Sequence, residues 1–265
     1  MRRANVEELR NKQIEILDYV SQFCEENEIN YWLDCGTLLG AVRHEGYIPW
    51  DDDIDIAMHR SDYNKFLQYF PQKSNDSKFE LKCIENNKDW HHPFAKVMNN
   101  ETLFIQDGHT MGINIDIFPY DDMVDDMNEF KKNYKTRDLL KVINSIQCSE
   151  HLPRGNKFRK CIVYIIRWIL RRFPKYYFIR KISEMAQKHN GKGLKTVGSF
   201  TNDISMKSCK KEWVSEFVKG SFEGKQYNIP VGYKELLTCL YGEDYMQLPP
   251  EEKRKKHTFE AYVQE

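Results

Sequence analysis

The stretch Asp34–Met58 reads DCGTLLGAVRHEGYIPWDDDIDIAM. From Asp53 onward, acids alternate with aliphatic residues. That two-residue repeat predicts a strand over Asp53–Met58, with Asp53 and Asp55 on one face and Ile54 and Ile56 on the other. Ahead of it, Asn30–Asp34 is a short strand candidate, and Gly36–Arg43 reads as a tight turn running into a short helix. Pro49 forces an extended or turn conformation before the acids. Burying several carboxylates together is costly unless a cation neutralises them. Two Asp at i and i+2 can ligate a divalent metal from one side, and hard oxygen ligands suit Mg²⁺ or Mn²⁺ better than zinc. A third carboxylate on another strand would complete such a site. Asp116 is the best candidate, because Ile113–Phe118 alternates in the same way before Pro119 is expected to end it. Gly36 and Thr37 add backbone amides at a helix N-terminus and a hydroxyl donor, where a phosphate can approach closely. An Asp-x-Asp pair alone arises by chance in a chain with 40 acids. The order Gly-Thr, Asp-x-Asp, strand Asp points to metal-assisted phosphoryl-type transfer.

Outward from this stretch, a 3.6-residue apolar period predicts a helix over residues 6–26, and a further helix runs to about Phe70 with Ser61 or Asp62 as its cap. Phe79–Ile84, Phe94–Met98 and Thr102–Ile105 are plausible strands. Helical patterns dominate from about 123 to 145, 156 to 172 and 176 to 189. Ser221–Ile229 reads as a hairpin bent at Gly224, and a helix follows around Tyr233–Tyr241. The expected fold class is α+β: a small mixed sheet flanked by helices. The expected organisation is a single domain, with a core at about 30–120 and a helical elaboration over about 123–265.

The 265 residues include 40 Lys or Arg and 40 Asp or Glu, so the net charge is zero. That balance argues against wholesale nucleic-acid binding. Fifteen Tyr, 15 Phe and five Trp argue against disorder. Seven scattered cysteines without a CxxC pair argue against a disulfide framework or zinc site, and point to a cytoplasmic location. The N-terminal sequence has no signal-peptide apolar region, and the longest apolar run, Cys161–Ile166, is far short of a membrane span.

The segment GTLLGAVRHEGYIPWDDDIDIAM closely resembles the LicD family of phosphocholine transferases, related to the fukutin group within the nucleotidyltransferase-fold superfamily. The superfamily pattern is a G[GS] turn followed by Dh[DE]h. Here Gly36–Thr37 forms the turn, with Thr in place of Ser, and Asp53–Ile54–Asp55–Ile56 is the acidic pattern. Ile115–Pro119 matches the family's IDIFP segment, and Tyr241–Arg254 resembles the end of bacterial members. The resemblance is strong over about 30–120, moderate over about 222–257, and undetected over 125–215. It implies a nucleotidyltransferase-like fold and transfer of phosphocholine from CDP-choline to a sugar hydroxyl of a cell-surface glycan; fukutin-like relatives use CDP-ribitol. By motif match Asp53, Asp55 and Asp116 would hold metal; Asp51, two residues before Asp53, is a candidate further ligand, and Asp116 a candidate acceptor of the attacking hydroxyl's proton.

Several residues carry two readings each. Arg43 either clamps the donor phosphates or pairs with Asp51 or Asp52. Trp50 either stacks on cytosine or cages choline, or packs in the core; Tyr31, Trp32, Trp90 and Tyr120 are further cage candidates. Lys96 either reaches the phosphates or stands exposed on a strand. His44 is a surface group or a general base, and His91–His92 reads as loop. The basic stretch Asn156–Lys181 either lies on an anionic membrane surface at the inner face or packs its apolar side on the core, the second being preferred. Three other functions compete: a nucleotidyltransferase moving NMP from an NTP, a glycosyltransferase, and a catalytically silent scaffold at a membrane face.

Overall fold

A computed structural model describes residues 1–70, 78–106, 109–148, 157–202, 207–254 and 260–264. Its elements are β1 (Arg2–Arg3), α1 (Val6–Glu26), β2 (Trp32–Leu33), α2 (Cys35–His44), β3 (Asp55–His59), α3 (Arg60–Tyr69), β4 (Phe79–Lys82), β5 (Ala95–Gln106) and β6 (His109–Met123). There follow α4 (Met127–Cys148), α5 (Lys157–Leu170), α6 (Tyr177–Ala186), β7 (Thr196–Gly198), β8 (Cys209–Lys210), β9 (Phe217–Phe222), β10 (Lys225–Pro230), α7 (Tyr233–Tyr241) and β11 (Glu260–Val263). The fold is α+β, a mixed sheet flanked by helices. Its path runs β1-β11-β5-β6-β3-β2, with β4 on β5 and β7–β8 on β6. Only β3 and β6 pair in parallel among these strands.

Helix α1 begins at a reciprocal cap: Glu8 N–H donates to Asn5 Oδ1 at 2.9 Å, and Asn5 N–H to Glu8 Oε2 at 3.0 Å. Leu9, Ile16, Leu17 and Val20 then recur on the side that meets the sheet, all fully buried. The strands expected at Phe94–Met98 and Thr102–Ile105 are one strand, β5, with a register irregularity between Asn99 and Phe104. Opposite it a Cβ on Gly112 would lie 2.2 Å from the Asn99 carbonyl oxygen, so this crossing requires glycine.

Four local expectations change. Strand β3 starts at Asp55, so Asp53 belongs to the preceding loop. Pro119 does not end β6, which continues to Met123. The Asp116 amide donates toward β3, to the Ile54 carbonyl at 2.9 Å, so odd-numbered neighbours face the other side. There, pairing with β5 stops at Ile117 and pairing with β7 starts at Asp121. The missing N–H of Pro119 falls in that gap and breaks no ladder bond. Helix α3 starts at Arg60 straight off β3, with no side-chain cap from Ser61 or Asp62. The region expected as a helical elaboration also supplies β7, β8 and β11 to the sheet, while β9–β10 is the expected hairpin, separate from it. That hairpin turns through Glu223 and Gly224, both at positive φ.

The main core lies between α1, α3 and the sheet; a second apolar cluster, including Trp90, Tyr134, Ile179 and Phe200, lies under α4 and α6. The preferred packing of the basic stretch holds for Tyr176, Phe178 and Ile179, which are buried, and is overturned for α5. Helix α5 exposes Phe158, Ile165 and Trp168 and buries Arg167. Residues 255–256 and Asn156, part of segments read from the sequence, lie outside the described residues.

Candidate active site

Chain direction reverses into the site at one residue. Cys35 takes φ +50°, the left-handed region that L-residues rarely adopt. It turns β2 into α2 without a loop and sets the α2 N-terminus beside β3. Thr37 Oγ1 accepts the Asp55 amide at 2.8 Å; the hydroxyl expected as a phosphate donor thus already serves as an acceptor, with its own proton still available to donate. A Cβ on Gly36 would lie 2.6 Å from Asp51 Oδ2. A side chain here would displace Asp51, so the group that approaches the glycine is a carboxylate of the protein.

The acidic loop is held from α1. Arg10 Nη2 donates to the carbonyls of Asp51 at 2.5 Å and Ile48 at 3.1 Å. Buried Gln13 donates to the Asp52 carbonyl at 2.9 Å and to the Asn114 carbonyl at 3.4 Å, and accepts from Tyr47 Oη at 2.9 Å. These bonds satisfy backbone oxygens, leaving the carboxylates to face one another. One oxygen from each of Asp51, Asp52 and Asp53 lies within 4.8 Å of the others. Asp52 was not among the expected ligands. Arg10 and Gln13 also escaped the sequence reading; the available signal was a glutamine on the apolar face of α1, between Leu9 and Leu17.

Across the sheet, Asp55 stands opposite Asp116 in the parallel β3–β6 pair, and Asp116 opposite Lys96 in the antiparallel β6–β5 pair. Adjacent strands lie about 4.8 Å apart, so these three side chains form one row. Lys96 is 5% exposed rather than an open strand lysine. Its Nζ lies 2.5 Å from Asp116 Oδ1 and 3.1 Å from Asn114 Oδ1. Burial pushes the Asp55 carboxyl well above the usual carboxylate range, and Asp53, Asp116, Asp34 and Asp51 push it further. Burial also raises Asp116, against the pull of Lys96. Four acids thus press on Asp55, and Asp53 also on Asp116, with Lys96 as the ammonium in the row. The carboxylates of Asp51, Asp52 and Asp53 form a hard, all-oxygen donor set of the kind that suits Mg²⁺ or Mn²⁺.

Asp34, unassigned by the sequence reading, is fully buried at the α2 N-cap. It accepts from Tyr120 Oη at 3.1 Å, and burial raises its pKa. Tyr120 is thereby spent on a carboxylate. Arg43 Nη1 donates to the Tyr245 and Gln247 carbonyls at 2.7 and 3.1 Å, and its Nε to His44 Nε2 at 3.0 Å. It ties the C-terminal segment to α2. His44 accepts that bond as the neutral imidazole, its pKa lowered by burial and by Arg43. Trp50 is half-buried against the core with the Arg254 guanidinium 4.8 Å from its ring centroid. Tyr31 and Trp32 are core residues. His91 stacks on His109 at 3.8 Å between centroids, and burial with neighbouring cations lowers His91 to about 4 and His92 to about 2. At the far end of β6, Asp121 is held by Arg60 Nε and Nη2, both at 2.7 Å, and by Asn190 at 2.6 Å.

Residues 28–143 match the family model described as LicD/FKTN/FKRP, nucleotidyltransferase domain. The chain is 32% identical to the lipopolysaccharide cholinephosphotransferase LicD of Haemophilus influenzae, over 96% of this chain and 98% of that protein. It is 44% identical over 102 residues to the human ribitol 5-phosphate transferase FKRP, covering 38% of this chain and 19% of that protein. With the carboxylate row of β3 and β6 in the matched segment, and near full-length similarity to one member, the chain belongs to the LicD/FKTN/FKRP nucleotidyltransferase-domain family.

Proposed function

We propose that the protein transfers a phospho-alcohol, phosphocholine first among the candidates, from a CDP-activated donor to a hydroxyl of a cell-surface or lipid-linked glycan. The observation that carries this reading is the lateral pairing of Asp55 with Asp116 beside the Asp51–Asp53 cluster, in a chain similar over nearly its whole length to a lipopolysaccharide cholinephosphotransferase. In the reaction, the glycan hydroxyl oxygen forms a bond to the phosphorus of the phospho-alcohol. The bond from that phosphorus to the bridging oxygen breaks, and CMP leaves. Asp51, Asp53, Asp55 and Asp116 would hold Mg²⁺ or Mn²⁺, which supplies charge neutralisation on the diphosphate. Asp116, with Oδ1 held by Lys96, offers its other oxygen to the hydroxyl's proton. Lys96 orients that carboxylate and limits its rise in pKa. The α2 N-terminus at Gly36 and Thr37, with Asp51 against Gly36, would lie beside the donor phosphates.

The test is direct. Protein, Mg²⁺, CDP-choline and a glycan acceptor are incubated and the products separated. Acceptor-dependent CMP, abolished by EDTA, is the expected result. Pyrophosphate released from an NTP would instead make the protein a nucleotidyltransferase. Release of neither from a folded protein, across CDP-choline, CDP-ethanolamine and CDP-ribitol, would end the proposal.

A further inference from the structure

Residues 154–181 hold ten Lys or Arg and no Asp or Glu. Within α5, Phe158, Ile162, Ile165 and Ile169 recur at intervals of four, three and four, which places them on one face. They are 72%, 41%, 59% and 45% exposed. The side that meets α4 instead carries Arg167, buried, with Nε 3.2 Å from the Ile146 carbonyl. Gln147 of α4 fixes the helix end by donating to the carbonyls of Leu170, Phe173 and Pro174. The helix is therefore anchored by polar bonds, with its apolar face turned outward.

We infer that α5 is an interfacial helix that docks the protein on an anionic lipid bilayer, its four apolar residues entering the headgroup–acyl boundary. Three features select this occupant. Lys160, Arg171, Arg172 and Lys175 are exposed around the stripe, with no acid in the segment to repel lipid phosphates. Exposed Trp168 carries the Arg172 guanidinium 4.1 Å from its ring centroid, an amphipathic pair suited to the polar–apolar boundary. A second copy packed on the same face would bring two basic rims together, which costs energy that an anionic surface returns. No helix among the described residues is long and apolar enough to cross a membrane, so the contact lies along the surface. The inference does not depend on the transferase reading.

The experiment is vesicle co-sedimentation of the full chain. One set of vesicles is pure phosphatidylcholine, the other contains about one-third phosphatidylglycerol. Partitioning at least roughly tenfold stronger onto the anionic vesicles, weakening as salt rises, is expected. The combined variant Ile162→Asp, Ile165→Asp and Ile169→Asp loses binding while keeping its circular dichroism. Arg171→Glu with Arg172→Glu, outside the apolar stripe, loses the anionic preference and gives an independent readout if the triple variant misfolds. Failure to sediment with anionic vesicles at low salt overturns the inference. So does equal binding by the folded variants, or a dimer in solution that Ile165→Asp dissociates, which would assign the face to a second copy.

Discussion

Helices α1 and α5 carry similar sequence patterns and do opposite things with them. In α1 the apolar stripe is buried, and Gln13 within it bonds the acidic loop. In α5 the apolar stripe is exposed, and the residue taken inside is Arg167. A helix's apolar face states a need for cover; the rest of the fold decides whether the chain itself supplies it. Where α1 supplies cover, it also positions charge, and the site is built on that rigid support.

The comparison can be tested from both ends. Asp55→Asn removes the central carboxylate of the row and should lower kcat by roughly 10²–10³-fold with an unchanged circular dichroism spectrum, read by CMP release. Near-normal turnover would remove the site from this row. In α1, Leu17→Ala should cost about 2–5 kcal/mol in urea unfolding. Its counterpart in α5, Ile165→Ala, should stay within about 0.5 kcal/mol; equal losses would mean that α5 is covered after all. Gln13→Ala, which leaves the Asp52 carbonyl without its buried donor, should cost about 1–3 kcal/mol and reduce turnover, separating support of the loop from bulk packing. The smallest effect concerns Asp34. Burial raises its folded pKa above the unfolded value near 4. Its contribution to stability is full below that value and is lost as pH rises through the raised folded pKa. Asp34→Asn should flatten the fall in melting temperature above about pH 4; an unaltered slope would mean that Asp34 does not titrate in this window.

Much of the candidate site's local framework was legible because its parts are local. The boundaries of α1 and α7, the Gly224 bend and the order of Gly36, Asp53, Asp55 and Asp116 follow from period, turn chemistry and motif. Other features were hidden because their causes lie between elements. Pro119 sits inside β6 because its missing N–H meets a gap between two neighbouring strands. Lys96 is buried because register sets it opposite Asp116. Arg43 serves backbone carbonyls some 200 residues away along the chain, a distance at which no spacing argument operates.

The sequence by itself determined which residues alternate and which helices carry an apolar stripe, since these depend on the 2.0 and 3.6 repeats of the backbone. Tertiary structure alone decided that Asp55 faces Asp116 across a parallel pair, that Gln13 and Arg10 hold the acidic loop, and that α5 turns its isoleucines outward. Register and orientation are settled by contacts between distant segments, and a one-dimensional pattern gives the face without naming its neighbour.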